Sequence, residues 1–332
     1  MKTAISSRIE QSAHGSYLAL LVVLAIFLAM FPQFSGKYLI VLFTELFIYT
    51  IFATSLNLLV GFTGLPSLGH AAFYAMGGYA VAILTTKCDV QNFWLCMFVA
   101  LLSAGIVSSI FGFLSVRLIG VFFLMITLAL AQVVWSLSWS WHSLSGGDDG
   151  LPGISRPGVG LPVSASSEIS FYYLVLIFSI FAMFILYRIC NSPFGYVLQG
   201  IRENETRMAA LGYNTWKYKY VAFILAGIFA GLAGSLKAYQ DGIVNPLYAS
   251  ITTSGIVFLM VLAGGRKVFI GPIIGAPLVW IVKSVVSSYT AEYWSLIMGI
   301  LVVITVMLTP QGIGAYAVQV LRRGCSYLRS KH

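Results

Sequence analysis

The chain alternates between long apolar runs and mostly short polar breaks; two breaks are longer, and one of them is densely charged. A helix that crosses a bilayer needs about 20 mostly apolar residues, within a range of about 17–25. Runs of that kind lie at 17–34, 38–60, 93–116, 118–141, 171–187, 220–237, 268–286 and 293–309. Two weaker runs complete the pattern: 65–86 is interrupted by Pro66, Gly69, Gly77 and Gly78, and 251–263 is short. The pattern predicts an all-α polytopic integral membrane protein of about ten transmembrane helices, one of them short and broken. Lys2 and Arg8 precede the first run as they would in a secretory leader. No small-residue cleavage site follows Phe31 and Pro32, so an uncleaved first helix is expected.

Charge placement then sets orientation. If all ten runs cross and the N-terminus is cytoplasmic, 14 of the 19 Lys and Arg residues fall inside; Lys37, Lys87, Arg156, Lys237 and Lys283 fall outside. If 65–86 were only re-entrant, the count would become 6 inside and 13 outside. The positive-inside rule favours crossing and places both termini in the cytoplasm. The chain reads as a single domain over 1–332, with helix groups at 17–141 and 171–309. An outside loop at 142–170 separates them, a cytoplasmic loop at 191–219 lies within the second group, and a tail follows at 310–332.

Composition narrows the chemistry. Hydrophobic residues make up 59% of the 332 and charged residues 9%, against about 25% charged in an ordinary soluble domain. The net charge of +9 is explained by membrane orientation, with no nucleic-acid partner implied. The four cysteines (Cys88, Cys96, Cys190, Cys325) form no CxxC and pair with no His at metal spacing. There is no GxxxxGK followed by Ser or Thr, and none of the four histidines belongs to an HExxH. GxSxG is absent as well. No cofactor is expected on this chain, and no enzymatic site.

Glu45 is the one clear acid inside a predicted span. Near a helix end it can reach the outer interface; the alternative is a relay, which would make the chain a cation-coupled secondary transporter. A channel is the passive alternative. The outside loop holds Asp148 and Asp149 in SGGDDGLPGI. It is either a turn-rich connector or a docking face for an extracytoplasmic partner, and its spacing is not that of a calcium loop.

The long polar break, 192–223, carries Arg202, Arg207, Lys217 and Lys219 with Glu203 and Glu205, and Arg188 lies just before it. Ser192 and Pro193 make a helix start, Gly212 suits a left-handed cap, and Asn214 can cap the next span. Residues 202–211 are expected as one short amphipathic helix that presents Arg202, Glu203, Glu205 and Arg207 to a partner. Upstream, GFTGLPSLGHAAFYAMGGYA places Pro and Gly at membrane depth, which is tolerated where backbone is buried in protein or lines a wet cavity. Asn57, Ser67 and His70, with Gly69, are candidates for the wall of a translocation path. For His70, a structural hydrogen bond and a substrate contact are both open. Gly227, Gly231 and Gly234 have the small-residue spacing of close helix packing.

Four blocks, in order, resemble the LivM-type permeases. They are NLLVGFTGLPSLGHAAFYAMGGYA from Asn57, SGGDDGLPGI from Ser145, IRENETRMAALGYNTWKYKYVAFILAGIFAGLAG from Ile201, and GGRKVFIGPIIGA from Gly264. Those permeases are subunits of ABC importers for branched-chain amino acids and related small polar solutes such as urea, amides or organic acids. The resemblance runs from about residue 39 to 310. It implies that this chain forms half of the pore in the bacterial inner membrane, beside a second, related permease. It also implies two cytoplasmic ATPase subunits, which hold ATP and Mg²⁺, and a periplasmic or lipid-tethered binding protein. It assigns ATPase coupling to 202–212, including Arg202, Glu203, Asn204, Glu205, Arg207 and Gly212, and makes Asp148 and Asp149 candidates for binding-protein docking. The better-known EAA permease signature is matched loosely, because Glu205 precedes Gly212 by seven residues where the signature has six.

Overall fold

The computed structural model describes residues 30–156 and 167–289, with Leu28, Leu296, Ile297, Gly299, Ile300 and Gly312. The expected spans at 17–34 and 293–309, and the tail, lie largely outside the described residues. The described chain is helical, with one two-residue ribbon as its only sheet.

The first full helix, α1 (Lys37–Asn57), is apolar on every side, and each residue from 48 to 63 is buried. Its hydroxyls are satisfied locally: Thr44, Thr50 and Thr54 donate to the carbonyls of Ile40, Leu46 and Thr50 at 2.6–2.7 Å. A π-helical turn, Leu58–Thr63, continues it and stops at Gly64, whose φ of 76° no bulky residue takes easily. Pro66 then excludes a helical return. The next helix, α2 (His70–Thr86), is central and mostly buried. Gly77 and Gly78 do not break it, contrary to the sequence expectation; the interruption is confined to the stretch from 58 to Gly69.

Two helices follow, α3 (Phe93–Ser115), capped by the Asn92 side chain, and α4 (Val121–Ser140). Along α3, Trp94, Phe98, Leu102, Ile106, Ile110 and Phe113 are all exposed. That apolar stripe, repeating about every fourth residue, faces outward with nothing polar on it, which suits lipid rather than water. Leu151–Pro152 pairs antiparallel with Ile243–Val244 as β1 and β2. Besides a single helical turn at His142–Ser145, the remaining helices are α5 (Glu168–Cys190), α6 (Pro193–Glu203), α7 (Glu205–Ala210), α8 (Thr215–Asp241), α9 (Ile251–Gly264) and α10 (Gly271–Tyr289). The long α8 packs against α1, α2 and α3, while α9 and α10 pack on each other and on α1.

Among the described residues, five helical segments are long and apolar enough to cross a bilayer: Lys37–Thr63, Phe93–Ser115, Val121–Ser140, Glu168–Cys190 and Thr215–Asp241. Ile251–Gly264 is shorter, spanning about 21 Å against an apolar core of about 30 Å. The chain is an all-α, multi-pass membrane protein.

Candidate functional site

Gly227, Gly231 and Gly234, with Gly77 of α2, draw α8 onto its neighbours. A β-carbon on Gly77 would overlap the backbone of Gly231, and one on Gly234 would overlap the Tyr74 carbonyl. On the other side of α8, additions at Gly227 and Gly231 would strike Ser108 and Ala104 of α3. Backbone meets backbone along this crossing, a packing that only residues without side chains permit.

The broken segment lies before α2, and its own glycines meet Arg266, Arg202 and Thr127. His70 is fully buried, and its Nε2 lies 2.8 Å from the Ser55 hydroxyl, which itself donates to the Phe52 carbonyl at 2.7 Å. The other ring nitrogen, Nδ1, is buried with no hydrogen-bond partner among the described residues. The ring stacks on Phe52 with centroids 5.4 Å apart. Ser67 is buried, and its hydroxyl accepts from Gly69 N at 3.3 Å, while the backbone of Gly69 abuts the Thr127 carbonyl. Ser254 on α9 accepts from Ala71 N at 3.0 Å, satisfying a donor in the first turn of α2. Asn57 is buried too; it donates to Val268 O at 3.4 Å, and its Oδ1 has no partner among the described residues. The structure thus brings Asn57, Ser67, Gly69 and His70 to one buried, glycine-shaped segment.

The polar break forms the helices that local chemistry dictates. Ser192 caps α6 with Pro193 behind it, Asn214 caps α8, and Gly212 takes φ 90°. One expectation is corrected. Residues 202–211 are not a single helix, because Asn204 leaves helical geometry and caps α7 by accepting from Arg207 N at 2.8 Å. Arg202 and Glu203 therefore end α6, while Glu205 and Arg207 belong to α7. Arg202 turns inward and donates to the Gly61 carbonyl. Glu205 pairs with the buried Lys219 at 2.6 Å. Glu203, Arg207 and Gly212 remain exposed, beside the exposed apolar side chains of Leu211 and Tyr213.

At the far end of α8 lies a cluster that sequence reasoning missed. Lys237, expected outside, is buried and pairs with Glu45 of α1, and with Asp241 one turn on at 2.9 Å. Tyr248 donates to Asp241 at 2.6 Å. Burial, and then the neighbouring carboxylate of Asp241, hold the Tyr248 phenol well above its ordinary range. Beside them Trp280 stacks on Tyr49 at 4.1 Å, with the Lys283 ammonium 4.1 Å from the Trp280 ring centroid. The available signal was the spacing of Lys237 and Asp241, four residues apart at the end of an apolar run, opposite a lone intramembrane acid.

The loop holding Asp148 and Asp149 is anchored at the same end. Both side chains are exposed on a single 3₁₀ turn. From there the chain runs into β1, and Gly153 N and Ile154 N donate to Gly242 O at 3.1 Å. Arg156 bonds the Tyr239 and Gln240 carbonyls, pairs with Glu168 at 3.1 Å and lies over Phe171. It satisfies the terminal carbonyls of α8 as a C-terminal cation should.

Lipid-facing helices around a buried, broken, polar-lined segment, with a charged helical loop on one face, define a membrane protein of the transport class. A family profile described as "Branched-chain amino acid transport system / permease component" matches residues 38–306, and the chain belongs to that family. It is similar to the "High-affinity branched-chain amino acid transport system permease protein LivM" of Escherichia coli (strain K12). The two are 29% identical over 319 residues, covering 90% of this chain and 74% of the relative. It is similar, at 24% identity, to the "Probable branched-chain amino acid transport permease protein LivM" of Methanocaldococcus jannaschii, over 73% of this chain and 79% of that protein. A more distant likeness, 22% identical over 80% of this chain and 90% of the relative, is to the E. coli LivH permease. No solved structure matches the chain significantly.

Proposed function

We propose that this chain is one of two related permease subunits that together form the pore of an ATP-driven importer for branched-chain amino acids or a similar small solute. The observation that carries this reading is the family match across 38–306, which takes in both the broken segment and the α6–α7 loop. Two kinds of relative, LivM and LivH, support a second permease as partner. The reading places the chain in a bacterial inner membrane with α6 and α7 in the cytoplasm. Two ATPase subunits bearing ATP and Mg²⁺ dock there against Arg207, Glu203 and the apolar patch at Leu211 and Tyr213. A solute-binding protein docks on the opposite face, near Asp148 and Asp149. ATP binding closes the ATPase pair, and the pore changes between two discrete states. Asn57, Ser67, Gly69 and His70 form part of its wall, and no covalent chemistry falls to this chain.

A cation-coupled transporter would need a carboxylate free to gain and lose a proton. Glu45 is instead committed to Lys237, and nothing favours that alternative. The test is purification of the tagged chain from native membranes in mild detergent. Recovery of ATPase subunits and a second permease, with leucine uptake that a nonhydrolysable ATP analogue blocks, is the expected result. Recovery of the chain alone in several detergents would overturn the reading.

A further inference from the structure

The helix ends with the π-turn, and its last carbonyls, that of Gly61 among them, lack helical donors. In an α-helix the Gly61 carbonyl would accept from Leu65 N; that N–H is diverted to Leu59 O at 2.9 Å. The vacated acceptor is filled by the guanidinium of Arg202 from the last turn of α6. The contact is close along its length: a β-carbon on Gly64 would come 2.7 Å from Arg202 Cγ, so Gly64 is shaped to the arginine stem. Across the turn, Gly61 presses on the Arg266 carbonyl, and Asn57 reaches Val268 O. The turn is therefore gripped by α6 on one side and by the α9–α10 connection on the other. The Arg202 side chain is only 22% exposed, and its nearest carboxylate, Glu203, is 3.7 Å away and mostly in solvent.

We propose that Arg202 is a positioning residue through which movement of the α6–α7 loop is transmitted to the broken segment at 58–69. The inference rests on the ATP-driven reading for its functional half, since a driver must move the loop. The geometry supplies the link. A displacement of α6 pulls on a backbone carbonyl inside a turn whose two ends lead to Asn57 and, through Gly64, to the loop before His70. π-turns and surplus carbonyls are places where a helix can change its bonding register without breaking a regular ladder. A positive charge on a backbone acceptor is a strong yet reversible tether.

The experiment uses the whole transporter in proteoliposomes, comparing wild type, Arg202→Ala and Arg202→Lys. Two quantities are read: solute taken up per ATP hydrolysed, and amide hydrogen exchange of the peptide covering 58–65. In Arg202→Ala the subunits are expected to co-purify and ATP hydrolysis to continue. Uptake per ATP falls at least about tenfold and exchange at 61–65 rises, as loss of a charge-assisted bond implies. Arg202→Lys, which keeps the charge, lies between the two. Unchanged exchange at 58–65 would overturn the proposal, because the tether would not hold the turn. Unchanged uptake per ATP would overturn it as well. Loss of ATPase subunits from both variants with unaltered exchange would make Arg202 an outward docking contact instead. If the wild type itself shows no ATP-driven uptake, the importer reading fails separately, and the exchange comparison still judges the tether.

Discussion

Replacing Lys237 by Met removes the one cation placed between Glu45 and Asp241. The three side chains are 10%, 18% and 30% exposed, so the two carboxylates are left with incomplete hydration and no bonded counterion. Removing one partner of a buried ion pair costs about 3–5 kcal/mol. Both carboxylates keep partial contact with solvent, which sets the expected value near the lower end. Glu45→Gln is milder: Lys237 keeps Asp241 at 2.9 Å, and the replacing amide still accepts a hydrogen bond. Its cost is about 1–2 kcal/mol. In the double variant only Asp241 loses its cation, and Tyr248 still donates to it. The double should therefore cost less than the sum of the singles by about 1–2 kcal/mol, a coupling typical of residues in contact. Equilibrium unfolding in mixed detergent micelles gives the four corners of this cycle. A Lys237→Met variant no less stable than Glu45→Gln, or strict additivity, would refute the reasoning.

Three glycine substitutions test the packing of α8 on its neighbours. Gly77→Ala and Gly234→Ala put a methyl against backbone and should each cost about 1–3 kcal/mol. Gly105→Ala meets only the Ile228 side chain at 3.4 Å and should be neutral or stabilising by up to about 1 kcal/mol through helix propensity. The same unfolding titration ranks them, and equal effects at all three sites would contradict the crossing geometry. Ser254→Ala leaves Ala71 N without its acceptor. Hydrogen exchange at 70–73 should rise with a stability loss of about 1–2 kcal/mol, and an unaltered rate would show that the hydroxyl does not cap α2.

What could be read from the sequence was local. Ser192 and Pro193, Asn214 and Gly212 announce their roles because a cap is made within three or four residues, and each took the geometry expected of it. The apolar runs were equally plain, since lipid selects for length and apolarity. The pairings across the fold were not visible. Lys237 looked like a charge at a helix exit, because its partner Glu45 is 192 positions away. Arg202 looked available to a partner, because nothing local shows that the Gly61 carbonyl, free where its helix ends, would be its acceptor 141 positions away. Gly77 and Gly78 read as helix breakers, when in fact the Gly231 backbone occupies the space a side chain at 77 would need and Gly234 with Tyr248 crowds position 78. Asn204 was legible as polar but not as a cap, since the helix it ends and the one it begins share a continuous pattern.

Helix α8 is 27 residues long, a rod of about 40 Å, and it is bonded at each tip to a different face of the protein. At its start Lys219 holds Glu205 of α7; at its end the Gly153–Arg156 backbone and side chains clasp its last carbonyls. Between the tips, its bearing on α2 and α3 combines close glycine contacts with side-chain packing, including Phe223 against Phe73 and Tyr220 against Ser109. A tilt of about 5° about that bearing carries one tip some 3.5 Å relative to the other, given a rod of about 40 Å. Such a beam joins the two ends of the molecule through one unbroken helix.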